Sequence, residues 1–318
     1  MNIKNGLNAP SSASCVVVGG GIMGKDVAFV LFRAGANVVI VETNPALHKA
    51  LYEHFHAGQI PGQPEHAGSA KVAVSLDAVD WAGVDLVVEC IPEDLAAKQA
   101  LFKQLEDRAS ADAVLASNSS SFPISQIAAG RKTSARMLGL HFFMPAHVVP
   151  LVEVVLGQNT DPVYADDLAQ FMRRCGCVPI MVRKDIPGFI ANRLQHALGR
   201  EAYSLIESGV ATPEDIDAAV RFGFGFRYLA AGPIMQKEIA GLDVHAAAAA
   251  TIYPTLSNVT TPPAPLADKV KEGKFGMKSG QGFYRWDTTS AAKEKERYHR
   301  ILQTALAAIS DDLPDIQP

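Results

Sequence analysis

A histidine and a glutamate in the middle of the chain have side chains suited to moving a proton. His141 stands at the end of a strand predicted over residues 136–141, and Glu153 lies in the next predicted strand, over residues 151–156. An imidazole can accept a hydroxyl proton near neutral pH, and a nearby carboxylate fixes its tautomer and stabilises its cation. Strand carboxyl ends are where ligands bind in open α/β sheets. The two residues are candidates for an acid–base pair, although residues at this spacing are more often unrelated.

A glycine-rich turn near the start of the sequence is suited to binding a dinucleotide. Gly19 permits a tight turn out of a predicted strand, Gly21 lets the backbone approach a pyrophosphate, and Gly24 allows close packing of the next helix. Ile22 and Met23 begin that helix, where free N–H groups and the positive end of the helix dipole attract phosphate. Because glycine turns are common, the motif alone also fits an ordinary structural turn.

An acidic residue at the end of the second predicted strand strengthens this interpretation. Glu42 follows the turn by about twenty residues, the spacing at which a carboxylate reaches the adenosine ribose. Thr43 and Asn44 offer no positive charge for a 2′-phosphate, so the sequence predicts NAD rather than NADP. The glycine fingerprint by itself also fits FAD.

The elements that must position these residues alternate between strand and helix in the first half of the chain and are helical in the second. This order predicts a Rossmann-type doubly wound parallel sheet followed by an all-helical C-terminal domain. Strands are predicted over residues 14–19, 37–42, 71–75, 84–90, 113–117, 136–141, 151–156 and 178–182. Helices are predicted over residues 22–34, 46–56, 95–108, 124–129, 165–174, 187–208, 213–220, 233–240 and 290–308. The predicted domains are residues 1–186, binding NAD, and residues 187–318.

Composition excludes several classes of function. The formal net charge of −4 and the lack of a basic stripe argue against binding to nucleic acid or to an anionic membrane. Cys175 and Cys177 lack the spacing of a zinc site, so no metal is expected, and the four cysteines indicate a reducing compartment. No targeting segment or membrane span is apparent in the sequence, which predicts a cytoplasmic protein.

Five motifs together resemble the signature of the L-3-hydroxyacyl-CoA dehydrogenase family. They are Ser-Asn-Ser-Ser-Ser at 117–121, His-Phe-Phe-x-Pro at 141–145, Leu-Val-Glu-Val-Val at 151–155, Pro-Gly-Phe-Ile-Ala-Asn-Arg at 187–193, and Gly-Met-Lys-Ser-Gly-Gln-Gly-Phe-Tyr at 276–284. Their order and spacing match the family over nearly the whole chain. The resemblance implies an NAD-dependent enzyme that interconverts a 3-hydroxyacyl substrate and its 3-oxo form.

The resemblance also implies roles for individual residues. His141 is the general base and Glu153 its orienting partner, while Ser117 and Asn192 hydrogen-bond the reacting hydroxyl or a neighbouring carbonyl. Each of the last two has a simpler interpretation, in which Ser117 caps a helix and Asn192 is a solvated helix residue.

Three more residues match family positions near the cofactor. Glu93 and Lys98 correspond to residues beside the nicotinamide and its ribose, and Lys278 to a lysine that approaches the cofactor. Glu93 and Lys98 are otherwise interpreted as exposed charges on a helix. Glu89, at a strand end, is expected only to support local structure.

The chain departs from the family at three places that concern the substrate. Met144 stands where the family usually has asparagine, and the connection between residues 42 and 71 is short and poor in basic residues, with a loop expected around residues 58–68 in place of a second helix. The segment 223–233 resembles relatives that act on free 3-hydroxy acids, the L-gulonate 3-dehydrogenase (λ-crystallin) and L-carnitine dehydrogenase branch. Arg227 in this segment is suited to binding a substrate carboxylate, or else forms a surface salt bridge.

Three functional hypotheses therefore stand. The first is a 3-hydroxyacyl-CoA dehydrogenase, and the alternative is a dehydrogenase of a small free 3-hydroxy acid. The third is a non-catalytic, crystallin-like protein. By resemblance, the protein is expected to be a homodimer joined through its helical domains, with residues 191–206 and 242–253 as candidate contacts.

Overall fold

An eight-stranded sheet forms the centre of the N-terminal part of the molecule. The computed structural model describes residues 7–57 and 68–318. The strands are β1 Ser14–Val18, β2 Asn37–Val41, β3 Ala70–Ala73, β4 Leu86–Glu89, β5 Val114–Ser117, β6 Met137–Phe142, β7 Leu151–Leu156 and β8 Val178–Val182. Their order across the sheet is β3-β2-β1-β4-β5-β6-β7-β8. All neighbours are parallel except β6 and β7, which are antiparallel.

Burial on both faces explains why the central strands are continuous apolar runs. Every residue of β4, β5 and β6 is buried. Alternate residues of β1 belong to two different core clusters, Cys15 and Val17 to one and Val16 and Val18 to the other. Because successive side chains of a strand point to opposite faces, each face of the sheet has its own core. The predicted fold class is confirmed.

Within the described ranges, five α-helices accompany the sheet and seven follow it. The first group is α1 Ile22–Arg33, α2 Pro45–Ala57, α3 Leu95–Arg108, α4 Ile124–Ile127 and α5 Pro162–Arg174. The second group is α6 Ala191–Glu207, α7 Pro213–Ala219, α8 Gly225–Arg227, α9 Pro233–Ala240, α10 Leu242–Ile252, α11 Ala264–Lys271 and α12 Thr288–Ala308. Capping side chains define several starts: Asp94 accepts a hydrogen bond from the Ala97 amide at α3, and Asp287 and Ser290 form a capping box at α12.

The helix predicted to start at Pro187 starts four residues later. The sequence predicts a helix from Pro187, since proline favours the first position of a helix, but α6 begins at Ala191. Residues 187–190 form a turn instead, in which Gly188 and Phe189 have φ values of 77° and 50°. Left-handed backbone cannot continue an α-helix. The loop expected around residues 58–68 lies almost entirely outside the described residues; α2 ends at Ala57.

The chain divides into two compact units. The nucleotide unit comprises residues 1–192 and 310–318, and the helical unit comprises residues 193–309. The last segment of the chain returns to the nucleotide unit, where Ile316 forms a bridge with Cys175 and the Gln317 amide donates to the Arg174 carbonyl at 2.9 Å. Within residues 7–57 and 68–318, no helix is long and apolar enough to cross a membrane, and no group of three or more His, Cys, Asp and Glu residues is arranged to hold a metal ion.

Candidate active site

The antiparallel pairing of β6 with β7 places the predicted histidine and glutamate opposite each other. His141 and Glu153 are register partners, and the distance from His141 Nδ1 to Glu153 Oε2 is 2.7 Å. Both residues are buried, at 2% and 0% exposure. An ionised carboxylate only accepts hydrogen bonds, so Nδ1 carries the proton and donates it. In this tautomer the lone pair on Nε2 is available to accept a proton.

Two backbone amides bind the other oxygen of Glu153. Ile190 and Ala191, at the start of α6, each donate to Oε1 over 3.0 Å. Burial by itself would raise the pKa of this carboxyl group. The hydrogen bonds from His141 and from the two amides outweigh burial and lower the pKa of Glu153 below its ordinary value. Glu153 is therefore a fixed negative charge beside the imidazole.

A serine hydroxyl faces the free nitrogen of the imidazole. Ser120 Oγ lies 3.1 Å from His141 Nε2, the nitrogen that would exchange a proton with a substrate. Aromatic rings flank the imidazole as well, with centroid distances of 4.7 Å to Phe143 and 5.5 Å to Phe189. The imidazole of the His141–Glu153 pair, here called the dyad, thus has a polar neighbour at Nε2 and two aromatic neighbours.

A glutamate holds residues 119–121, here called the serine loop, in place. Glu93 Oε1 accepts hydrogen bonds from the Ser119 and Ser121 hydroxyls at 2.6 and 2.7 Å, and from the Ser120 and Ser121 amides at 3.2 and 3.0 Å. Burial opposes ionisation of Glu93, but these hydrogen bonds and the charge of Lys98 prevail and lower its pKa to about 2. The loop that carries Ser120 is therefore anchored to an anion.

A buried lysine links this anion to the sheet. Lys98 is 1% exposed, and its Nζ donates to Glu89 Oε1 at 2.6 Å and to Glu93 Oε2 at 3.2 Å. Glu89, at the end of β4, also accepts from the Ser117 hydroxyl at 2.6 Å through its Oε2. Lys98 lies on α3 and contacts Glu89 and Glu93. Through these two carboxylates it is linked to Ser117 of β5 and to the serine loop. The interpretation of Lys98 as a surface charge is wrong.

The glycine turn borders a cavity of about 800 Å³. Gly19 has a φ of 103°, and a Cβ on Gly24 would lie 1.8 Å from the Gly19 carbonyl oxygen, so both positions require glycine. A Cβ on Gly21 would meet nothing within 4 Å, which leaves its backbone open to a ligand. The cavity is lined by Val18, Gly19, Gly21, Ile22, Met23, Val41, Glu42, Thr43, Ser75, Leu76, Asp77, Cys90, Ile91, Pro92, Leu101, Gln104 and Arg108.

The acidic residue of the second strand is bound to the same turn. Glu42 Oε2 accepts from the Gly20 amide at 2.8 Å, and Oε1 accepts from the Asn44 amide at 2.7 Å. Each carboxylate oxygen can accept a further hydrogen bond, so the ribose hydroxyls of a dinucleotide fit here. An open glycine backbone, a helix N-terminus and a carboxylate around one cavity are the groups that a dinucleotide requires.

Comparison with known proteins identifies the family. Residues 14–186 match the model of the 3-hydroxyacyl-CoA dehydrogenase NAD binding domain, and residues 188–286 match that of the 3-hydroxyacyl-CoA dehydrogenase C-terminal domain. The chain belongs to the 3-hydroxyacyl-CoA dehydrogenase family. It is an NAD-dependent oxidoreductase, as the sequence predicted.

Similar proteins within the family have different names. A Mesorhizobium japonicum protein named 5-formyl-3-hydroxy-2-methylpyridine 4-carboxylate 5-dehydrogenase is 32% identical, over 90% of this chain and 95% of that protein. A solved structure of the enzyme with that activity, described as an NAD+ dependent dismutase, has a TM-score of 0.85 and 30% identity, covering 93% of this chain and 96% of the other. The (S)-3-hydroxybutyryl-CoA dehydrogenase of Ralstonia eutropha has a TM-score of 0.70 and 28% identity, covering 86% and 99%.

The serine beside His141 is Ser120, and not Ser117 as the family resemblance suggested. Ser117 is 0% exposed, with its hydroxyl directed at Glu89, while Ser120 faces His141. The run of serines from 117 to 121 contains both, and nothing in its composition separates them. The end of β5 at Ser117 could have served as a signal, because residues beyond a strand end lie in the loop above the sheet edge.

The remaining predicted residues lie in different places. Asn192 is the second residue of α6, next to the Ala191 amide that binds Glu153. In the helical unit, Arg227 ends α8 and is exposed, and Lys278 lies exposed in the turn between the bridged residues Gly276 and Gln281. Met144, on the loop after β6, is 62% exposed.

Proposed function

We propose that this enzyme oxidises a carbon-bound hydroxyl group to a carbonyl, with His141 as the base. The observation that carries the proposal is the orientation of the imidazole, whose Nδ1 donates to Glu153 while Nε2 faces the Ser120 hydroxyl. NAD, when bound, supplies the carbon that accepts the hydride. Its pyrophosphate and ribose would be held by Gly19, Gly21, Ile22, Met23, Gly24 and Glu42.

The protein's own part in the reaction is to accept and stabilise a proton. His141 Nε2 takes the hydroxyl proton, and the resulting imidazolium is compensated by the Glu153 carboxylate at 2.7 Å. The amides of Ile190 and Ala191 keep that carboxylate in place. In the reverse direction the imidazolium returns the proton to the carbonyl oxygen. Ser120 is the hydroxyl best placed to orient that oxygen.

Roles for four other residues follow from the family resemblance and remain proposals. Asn192 would hydrogen-bond the substrate beside the reacting carbon, and Arg227 would bind a substrate carboxylate. Glu93 would lie by the nicotinamide ribose, and Lys278 would approach the cofactor. Contacts to Glu93 and Lys98 also hold the serine loop, so these two would serve the site even without touching NAD.

The family name supports a 3-hydroxyacyl thioester as the substrate. A specific observation favours a second candidate, a small free carboxylate: the TM-score of 0.85 to the pyridine carboxylate dehydrogenase exceeds that of 0.70 to the 3-hydroxybutyryl-CoA dehydrogenase, over a larger share of this chain. Two features of the sequence also favour the small free carboxylate: Met144 stands in place of asparagine, and basic residues are scarce between residues 42 and 71.

A substrate panel distinguishes the two candidates. Acetoacetyl-CoA with NADH, small free 3-hydroxy acids with NAD, and an aromatic aldehyde bearing a carboxylate with NAD would be assayed by NADH absorbance. Turnover of the thioester alone would eliminate the small-acid candidate, and turnover of free acids or the aldehyde alone would eliminate the thioester. His141→Ala should lose activity on whichever compound the wild type turns over; unchanged turnover would remove His141 as the base.

A second copy of the chain would complete the helical unit. Across residues 193–309, all of which are described, Gly282 alone is buried. Large apolar side chains remain exposed, including Phe222 and Phe226 at 70%, Ile234 at 74% and Ile239 at 76%. Exposed apolar surface on this scale is typical of an interface, which supports a homodimer.

Sedimentation should give about twice the chain mass of 33.9 kDa, and Ile239→Lys should weaken association while Val74→Lys, in the nucleotide unit, should not. A monomeric wild type would contradict the proposal.

The cellular location is proposed on chemistry alone. All four cysteines are free thiols, and such thiols persist in the reducing cytoplasm. Residues 1–186 and 187–318 remain the proposed functional domains, with NAD bound by the first and substrate contacts and dimerisation supplied by the second.

A further inference from the structure

A residue of the nucleotide unit, just before α6, has an unusual backbone conformation. Among the described residues, Phe189 is the one non-glycine with a positive φ, 50°. Its Cβ makes this left-handed region unfavourable, and such residues persist where the surrounding structure holds them for a purpose. Phe189 is also 1% exposed and belongs to the core cluster of one sheet face.

The side chain of Phe189 packs against the catalytic imidazole. The ring centroids of Phe189 and His141 are 5.5 Å apart at an interplanar angle of 62°, an edge-to-face arrangement that aromatic rings prefer. Phe143 contacts the same imidazole at 4.7 Å and 70°. Phe189 is buried while Phe143 is only partly so, so Phe189 is the more firmly held of the two contacts.

The backbone of Phe189 directs the amides that bind the other half of the dyad. The Phe189 amide donates to the Ile186 carbonyl at 3.0 Å and closes a turn that contains Pro187 and Gly188. Immediately after this turn, the amides of Ile190 and Ala191 both reach Glu153 Oε1 at 3.0 Å. Two consecutive amides converge on one oxygen here because the chain reverses direction at residues 188 and 189 before α6 begins.

We propose that Phe189 is a positioning residue for the dyad, which fixes His141 through its ring and Glu153 through the two amides that follow it. The inference rests on the proposed role of His141. Phe189 does not touch the reacting atoms. Its effect is to hold the imidazole and the carboxylate in one relative orientation, and a displacement of about 1 Å can lower a rate by about a hundredfold.

Phe189→Leu tests the ring while keeping an apolar side chain in the core. The matched control is Phe142→Leu, since Phe142 is a buried phenylalanine next to His141 but belongs to the other core cluster. Both substitutions should lower the melting temperature by a similar amount. Only Phe189→Leu should lower kcat, by about ten- to a hundredfold. The KM for NADH should change less than about threefold, because the substitution removes no contact with the nucleotide.

The isotope effect separates positioning from a loss of folded protein. With acetoacetyl-CoA and NADH deuterated at the transferred position, or with the panel substrate that the wild type turns over, the isotope effect on kcat should rise in Phe189→Leu, because chemistry becomes more rate-limiting. Phe189→Gly adopts the same φ without strain but lacks the ring, and it should show the same fall in kcat.

The outcomes distinguish the role of Phe189 from that of His141. Equal kcat losses and equal isotope effects in Phe189→Leu and Phe142→Leu would overturn the proposal, since Phe189 would then act through stability alone. Full activity in both Phe189 variants would overturn it as well. His141→Ala measured beside them keeps the two ideas apart: an active His141→Ala refutes the role of His141, whereas an inactive His141→Ala with normal Phe189 variants refutes the role of Phe189 only.

Discussion

Replacing Glu153 by glutamine removes the charge of the dyad while preserving its shape. The side-chain carbonyl of the glutamine can still accept from the Ile190 and Ala191 amides, but its NH2 group would face the proton on His141 Nδ1. The imidazole would respond by moving its proton to Nε2, which leaves the substrate-facing nitrogen unable to act as a base. In a serine protease triad, replacement of the aspartate by asparagine lowers the rate through the same change of tautomer.

The size of the effect follows from the geometry. Two unit charges 2.7 Å apart attract by about 6 kcal/mol at an effective dielectric constant of about 20. Desolvation of the buried pair offsets part of this, so about 3–4 kcal/mol of stabilisation of the imidazolium is expected to be lost. Because each 1.36 kcal/mol corresponds to about a factor of ten in rate, kcat for Glu153→Gln should fall by about 10²- to 10³-fold.

Steady-state assays by NADH absorbance measure this fall. Glu106→Gln is the control, since Glu106 is a carboxylate of the same unit whose hydrogen bonds go to Thr133, away from the dyad. The control should keep its rate, and both variants should bind NAD normally. A Glu153→Gln enzyme within about threefold of the wild-type kcat would refute the charge-pairing argument, whatever the effect on KM.

Three further predictions concern the serine loop and the network that anchors it. Ser120→Ala should lower kcat by about ten- to a hundredfold through loss of one oriented hydrogen bond to the reacting oxygen, and a larger kinetic loss in Ser117→Ala would reverse this assignment. Lys98→Met leaves Glu89 buried without its cation and should lower the free energy of unfolding in urea by about 3–5 kcal/mol; an unchanged midpoint would contradict the ion pair. The pKa of Glu93 is lowered from 4.5 to about 2, so its ionised form stabilises the fold above pH 4.5 and that contribution is lost as the pH falls towards 2. In Glu93→Gln the unfolding free energy should depend less on pH across this window, measured by denaturation at several pH values, and an unaltered slope would exclude the assigned hydrogen bonds.

Local sequence patterns are sufficient to predict most of the sheet. The glycine turn, the alternation of strand and helix, and the acidic residue Glu42 depend on short-range spacing, and the structure places them as predicted. The predicted start of α6 is wrong because Pro187 satisfies the local preference for a helix start. The turn that displaces it depends on contacts of residues 189–191 with β6 and β7, which are distant in sequence.

The same contrast between local patterns and contacts distant in sequence applies to the site residues. His141 and Glu153 meet because β6 and β7 are antiparallel, a pairing that the predicted parallel sheet did not contain. The burial of Lys98 depends on Glu89 nine residues before it and on the loop at residues 119–121. The spacing of α3 does place Lys98 on the buried face, three, four and seven residues before Leu101, Phe102 and Leu105. The acidic partners that make burial of its charge possible lie on other elements, and helix periodicity does not identify them.

The return of residues 310–318 to the nucleotide unit makes the helical unit an insertion held at both of its ends. Ile316 packs against the core of the nucleotide unit, and a Cβ on Gly176 would lie 2.9 Å from its side chain. The last segment of the chain therefore packs closely against residue 176. Proteolytic cleavage of one surface loop within residues 193–309 would therefore leave both fragments attached to the nucleotide unit. The N-terminal fragment would remain covalently joined to it, and the C-terminal fragment would be held by the packing of residues 310–318. A reporter group fused after Pro318 would accordingly lie near the turn between α5 and β8 of the nucleotide unit.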